Sequence, residues 1–251
     1  LTISVASTKE MSAFQNNLNK IETRGYFMIS EQNYNKLLEK FGDISSFAIY
    51  KESKNNDKAT SENISYEEAI ENHQKDYINP SNIILMVNPS AKREQSPDSN
   101  FSSFHHSNIN DRHLRFLTMK TSTFWRNLYG SYVTDLFVVE SVMDNLISAV
   151  KDDNKKDYRK QSYKKLIEQL EILSQDSKEE KLNIYVCGAL SKSKRKDFIF
   201  FIEELIEEIS ENSDLNIELS FYAVYHPGYQ NLKKLIQGGC EKIVKHSMKV
   251  E

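Results

Sequence analysis

The chain has 251 residues, 39% hydrophobic and 27% charged, with 33 Lys and Arg against 36 Asp and Glu for a net charge of −3. That balance describes a globular chain long enough to bury one sizeable core or two small ones, and it excludes intrinsic disorder, collagen-like repetition and histone-like binding of nucleic acid. Its two cysteines, Cys187 and Cys240, are too few for a disulfide framework, a four-cysteine zinc site or an iron–sulfur cluster, and no stretch reaches the ~18 apolar residues that span a bilayer, so a reducing, cytoplasmic setting without membrane attachment is expected.

Residues 1–80 read as mainly helical. Met11, Phe14, Leu18 and Ile21, then Tyr34, Leu37, Leu38 and Phe41, fall at helical spacing and predict surface helices with one buried stripe each. They form an N-terminal helical extension packed on a core domain of residues 81–251, with a surface available to a protein partner. Within the extension, 44–50 reads as a short strand and 51–63 as a polar loop. Ser65 and Glu68 form a capping box for a helix through Ile70.

From Asn82 the pattern changes. Ile83-Ile84-Leu85-Met86-Val87 is an unbroken apolar run closed by Asn88-Pro89-Ser90, which suits a strand covered on both faces. Three runs resemble it: 132–138, 182–187 followed by Gly188, and 217–225 closed by His226-Pro227-Gly228. Helical stripes fill the intervals, with Val139, Val142, Met143, Leu146 and Val150 in one, Tyr163, Leu166, Ile167, Leu170 and Leu173 in the next, and Phe198, Phe201, Ile202, Leu205 and Ile209 in the last. Alternation of this kind predicts an α/β fold, a three-layer α/β/α sandwich around a central, mostly parallel four-stranded sheet. The densely charged segment 151–165 and the acidic positions Glu203, Glu204, Glu207 and Glu208 read as solvated helix faces, the alternative being contact surfaces. Residues 91–110 show no periodicity and directly follow the first central strand, as functional loops often do.

In an open parallel sheet, ligands bind beyond the carboxyl ends of the strands, where backbone N–H groups face solvent. Four segments arrive there: Asn88-Pro89-Ser90, Asp135, the basic run Ser191-Lys192-Ser193-Lys194-Arg195-Lys196, and His226-Pro227-Gly228-Tyr229. An amide, a carboxylate, cations and an imidazole would thus converge on one crevice. Taken singly, Asn-Pro and His-Pro pairs are ordinary turn formers, and Asp135 equally suits the cap of the helix after it.

The order strand-Asn-Pro-Ser, strand-Thr-Asp, strand-Gly and strand-His-Pro, over roughly residues 82 to 240, resembles the uracil-DNA glycosylase superfamily, including a branch with an Asn-Pro-Ser turn early and a His-Pro turn late. The resemblance implies cleavage of the bond between a base and deoxyribose after the nucleotide is flipped out of DNA, in genome repair or defence against foreign DNA. It further implies that Asn88 positions water and that His226 donates a hydrogen bond to the departing base. Pro89 and Ser90 belong to the same turn. Phe104, with Phe101 as the alternative, would stack on the base, Tyr229 would wedge into the duplex, and Lys192, Lys194, Arg195 and Lys196 would contact phosphates. Asp135 stands where the family usually has an asparagine that reads the base. A carboxylate only accepts, so a base edge offering N–H donors is expected rather than uracil. Gly228 stands where the family often has serine.

Other sites are poorer. His105, His106, Asp111 and His113 match no metal-binding spacing, Cys187 lies in a predicted buried strand, and Cys240 has no evident activating partner. Neither a metal nor a cofactor is expected. The same crevice would also serve a non-catalytic module that binds nucleic acid, a nucleotide or a protein, or a hydrolase of free nucleosides.

Overall fold

The computed structural model describes residues 29–50, 78–87, 109–120, 124–137, 150–177, 180–228, 232–237 and 239–243. The stripe from Met11 to Ile21, the capping box at Ser65 and the helix expected from Val139 to Leu146 lie outside them. Among the described residues the chain runs α1 (Glu31–Phe41), β1 (Ser45–Phe47), β2 (Asn79–Met86), α2 (Ile109–Lys120), a 3-10 turn (Phe124–Leu128), β3 (Ser131–Asp135), α3 (Lys156–Ser174), β4 (Lys181–Cys187), α4 (Arg195–Asn212), β5 (Glu218–Val224), α5 (Leu232–Gln237) and β6 (Glu241–Lys242).

The fold is mixed α/β, built on one mostly parallel sheet that among the described residues has six strands in the order β1-β3-β2-β4-β5-β6. The four expected strands are its parallel centre, with Ile84 level with Val133 on one side and Tyr185 on the other. The expected count of four is therefore too low. The residues β1 and β6 run antiparallel along the two edges, and β1, from the expected N-terminal extension, is part of the sheet itself.

Apolar side chains of the central strands are buried on both faces, and the run Ile83–Met86 of β2 is buried without alternation, whereas β4 alternates between buried and partly exposed positions. Ile83, Leu85, Tyr132, Ile184 and Phe221 pack with Leu37 of α1, Tyr163 and Leu166 of α3, and Phe201 and Leu205 of α4. Their neighbours Ile84, Met86, Val133, Cys187 and Val224 pack with Leu114 and Leu117 of α2, Trp125, and Leu235 of α5. Several polar groups inside these layers are paired, as burial favours. The Tyr132 and Thr134 hydroxyls both donate to Gln169 Oε1 at 2.8 Å, and the Trp125 indole donates to the Leu235 carbonyl at 2.9 Å. Ser30 caps α1, and Asp176 just past α3 accepts from the Ser30 backbone N–H at 2.9 Å and from Asn33 Nδ2 at 2.8 Å, pinning the two helices end to end.

One part of the charged segment 151–165 departs from the expected solvated face. Arg159 is 1% exposed. Its guanidinium grips both oxygens of Glu204 at 2.7 and 2.8 Å and donates to the Val150 and Asp152 carbonyls at 2.8 Å, while the Tyr163 hydroxyl donates to Glu204 at 2.9 Å. The fork geometry of arginine suits this two-point contact. Residues that read as two separate solvated faces thus join α3 to α4, and the contact holds the Glu204 carboxyl below its ordinary pKa despite the opposing effect of burial. Among the described residues no helix is long and apolar enough to cross a membrane.

Removing one partner of a buried ion pair strands the other, so Arg159→Ala is expected to cost about 3 kcal/mol. Lys151→Ala, which breaks a half-exposed pair with Asp197, should cost less than about 1 kcal/mol. Urea unfolding checks both: the first variant lowers the midpoint at constant slope, and the second barely moves it.

Candidate functional site

The position of the site follows from strand order. From β2 the chain passes to β3 on one side, then crosses back over β2 to β4 and continues to β5. The helix after β2 packs on one face of the sheet and the helix after β4 on the other. Between the carboxyl ends of β2 and β4 the chain therefore diverges, and such a divergence leaves a crevice.

A pocket of about 230 Å³ lies there, lined by Val87 just past β2, Cys187 and Gly188 at the end of β4, Ser191, Lys194 and Phe198 from the following turn and α4, and Tyr225 and His226 just past β5. It is smaller than the roughly 300–1,000 Å³ of drug-sized ligand sites. Its wall is mostly apolar, and the lining residues His226, Ser191, Tyr225 and Lys194 carry an imidazole, two hydroxyls and an ammonium.

Gly188 shapes the floor. Its φ is +95°, a conformation that L side chains rarely adopt, and a Cβ here would lie 3.4 Å from the Phe198 ring. That distance is ordinary contact, so it is the positive φ rather than lack of room that calls for glycine here. The Gly188 N–H donates to the Val224 carbonyl at 2.8 Å and the Leu190 N–H to the same oxygen at 3.3 Å, so the ends of β4 and β5 are tied together beside the pocket. The Cys187 thiol is fully buried. Burial, reinforced by the nearby charge of Asp135, pushes its pKa well up, which makes it a neutral wall atom rather than a nucleophile.

His226 supplies the directional group. Its Nδ1 accepts from the Gly228 backbone N–H at 3.0 Å, so in the neutral ring the proton sits on Nε2. Burial lowers the imidazole pKa below its ordinary value, which favours the neutral form. The neutral ring thus keeps one N–H donor, on Nε2, and the residue lines an apolar pocket. The turn that carries it is also held from α2, where His113 Nδ1 lies 2.9 Å from the Pro227 carbonyl.

Of the residues singled out from sequence, His226 and Lys194 line the pocket together. Lys192 and Lys196 are exposed nearby. Arg195 is committed elsewhere, gripping both carboxylate oxygens of Glu241 in β6 at 2.6 and 2.8 Å. Asp135 ends β3, level with Met86 of β2, and at 2% exposure it is buried and is not among the pocket-lining residues. Asn88, Pro89, Ser90, Phe101, Phe104 and Tyr229 lie outside the described residues, as do His105 and His106. Ser191, which opens the basic run, lines the pocket as well. Phe198, Tyr225 and Cys187 are pocket residues that sequence reasoning missed. Phe198 falls in an apolar helical stripe and Cys187 in an apolar strand, so both read as core; Tyr225, directly before His226, is the one whose position signals the site. Among the described residues no group of three or more His, Cys, Asp or Glu side chains is placed to hold a metal. Comparison of the chain with family models, curated proteins and solved structures finds no match.

Gly188→Ala is expected to destabilise the fold by about 1–2 kcal/mol, the cost of a side chain in left-handed backbone, read as a lowered thermal midpoint. His226 adds a pH dependence of definite sign. Its folded pKa lies below the ordinary value of 6.5, so the unfolded chain binds the proton more readily. Stability is then full above that ordinary value and falls on acidification through the folded one. A comparison of thermal midpoints between about pH 7.5 and 5 should show the wild type losing more stability than His226→Gln.

Proposed function

We propose that the pocket receives a nucleobase turned out of a DNA strand and that the protein is a DNA glycosylase of the uracil-DNA glycosylase type, hydrolysing the bond between base and sugar. The observation that carries this reading is His226, its Nδ1 held as an acceptor by the Gly228 N–H, among the residues that line a small apolar pocket at the carboxyl ends of the parallel strands. The scaffold we assign is a three-layer α/β/α sandwich, with α3 and α4 over one face of the sheet and α2 and α5 over the other.

As the base–sugar bond breaks, its electron pair leaves with the base, and negative charge develops on a base oxygen while positive charge develops on the sugar. A fixed donor in an apolar surround stabilises the developing anion far more than it stabilises the neutral base. His226 Nε2–H is that donor. Water completes the reaction: its oxygen bonds to the sugar carbon and its proton goes to the departing base. Asn88 directly follows Val87, which lines the pocket, and its amide would orient this water by hydrogen bonding, since an amide is no base.

Phe198 and Tyr225 give the base an aromatic, apolar surround, with Phe104 stacking on it and Tyr229 entering the space it vacates. Lys194, at the pocket, is the cation best placed for the adjoining phosphate, with Lys192 and Lys196 beside it. Arg195, held by Glu241, is a structural cation in this reading. Asp135 lies behind the wall rather than at the base edge, so selection of the base falls to His226 and the pocket's shape.

The test is a set of end-labelled oligonucleotides bearing a panel of normal and modified bases, incubated with protein and then treated with alkali. Strand breaks at one kind of base are expected. His226→Ala should slow their appearance by about 10²-fold or more, as for loss of a transition-state donor, and Asn88→Ala should slow it as well. Lys194→Ala should weaken binding and reduce the salt slope by about one. Binding without breaks at any base would leave the same pocket as a non-catalytic recognition site.

A further inference from the structure

We infer that His113 is a positioning residue that sets the tautomer of His226 through a single peptide group, an inference that rests on the role proposed above for His226. The Pro227 carbonyl and the Gly228 N–H are the two ends of one planar amide. His113 Nδ1 lies 2.9 Å from that carbonyl. A carbonyl can only accept, so Nδ1 of His113 carries the hydrogen and donates it. At the other end, the Gly228 N–H donates to His226 Nδ1 at 3.0 Å. The two imidazoles, 113 residues apart in sequence by their numbers, are therefore joined head to tail across one amide.

The direction of this chain matters. Donation into the carbonyl polarises the amide and makes its N–H a stronger donor, because hydrogen bonds in series reinforce one another. The stronger donor holds Nδ1 of His226 as an acceptor and so keeps the proton on Nε2. The opposite tautomer would set an Nδ1–H against the Gly228 N–H and turn a lone pair at Nε2 toward a developing anion. His113 also anchors the amide plane itself, since α2 packs on the sheet through Leu114 and Leu117. It thus does for His226 what a buried carboxylate does for the histidine of a hydrolase triad, with a peptide group as the intermediary.

The ring nitrogens of histidine-labelled protein, read by long-range proton–nitrogen correlation, test this without recourse to enzymatic activity. In the wild type His226 is expected as the Nε2–H tautomer. His113→Phe keeps a ring but has no donor, and it should shift the tautomer ratio of His226 toward Nδ1–H by up to about twofold, the fraction of one net hydrogen bond that coupling in series transmits. His113→Asn, whose side-chain amide can donate to the same carbonyl, should restore the wild-type ratio. Should His113→Phe not fold, His113→Ala is measured instead, with and without added imidazole, and the added ring should restore the ratio.

An unchanged ratio in the variant that lacks the donor overturns the inference, as does a shift that neither asparagine nor imidazole reverses. If the oligonucleotide screen shows excision, the Phe variant should lower kcat with little change in KM. A tautomer shift in a protein that excises nothing would uphold the relay while removing the glycosylase reading. Excision with an unmoved ratio would do the reverse.

Discussion

The pocket depends on a divergence in the path of the chain. Where β2 and β4 lie side by side, the helices that follow them pack on opposite faces of the sheet. The surrounding features hold that gap in shape. Gly188 permits the tight exit from β4, Phe198 closes over it, and two N–H groups from the exit bind the Val224 carbonyl. A strand order without the reversal would send neighbouring segments the same way and would give these residues no opening to line.

The helices that flank the gap are fixed by electrostatics as well as by apolar packing. Arg159 satisfies Glu204 and two backbone carbonyls at once, so α3 and α4 are tied by a contact that tolerates little sliding. The first residues of α4 are tied again by Arg195 to Glu241 of β6. Lys194 and Phe198, which sit between these two ties in sequence or beside them, therefore approach the pocket from a helix that is anchored on both sides. Rigid support of this kind is what lets a few polar groups act with direction.

The central strands were legible in the sequence because their buried residues leave apolar runs, unbroken in β2, and the turns after β4 and β5 were legible because Gly188 and Pro227-Gly228 end those runs. The edge strand β6 was not, since Glu241 and Lys242 carry no apolar signature and become a strand only by pairing with Tyr222 and Ala223. Arg159 was hidden for the opposite reason: it stands among charged neighbours that do face water, and nothing in its local pattern separates it from them. In the candidate site, His226 and Lys194 were found because they follow strand ends. Asp135 also ends a strand, but β3 lies on the far side of β2 from the gap, and lateral strand order is not written in local periodicity. Pocket-lining residues such as Cys187 and Phe198 look like core because a small apolar pocket is made from the same side chains as a core.

The two edges of the sheet give the molecule one more property. A parallel sheet left bare would offer rows of unsatisfied backbone groups to any passing chain, a template for runaway strand addition. Here the outer rows belong to segments of three and two residues laid the other way round. Such stubs are too short to seed a continuous ribbon. The protein can therefore keep a strongly apolar set of strands at its centre and still resist fibril growth through its flanks.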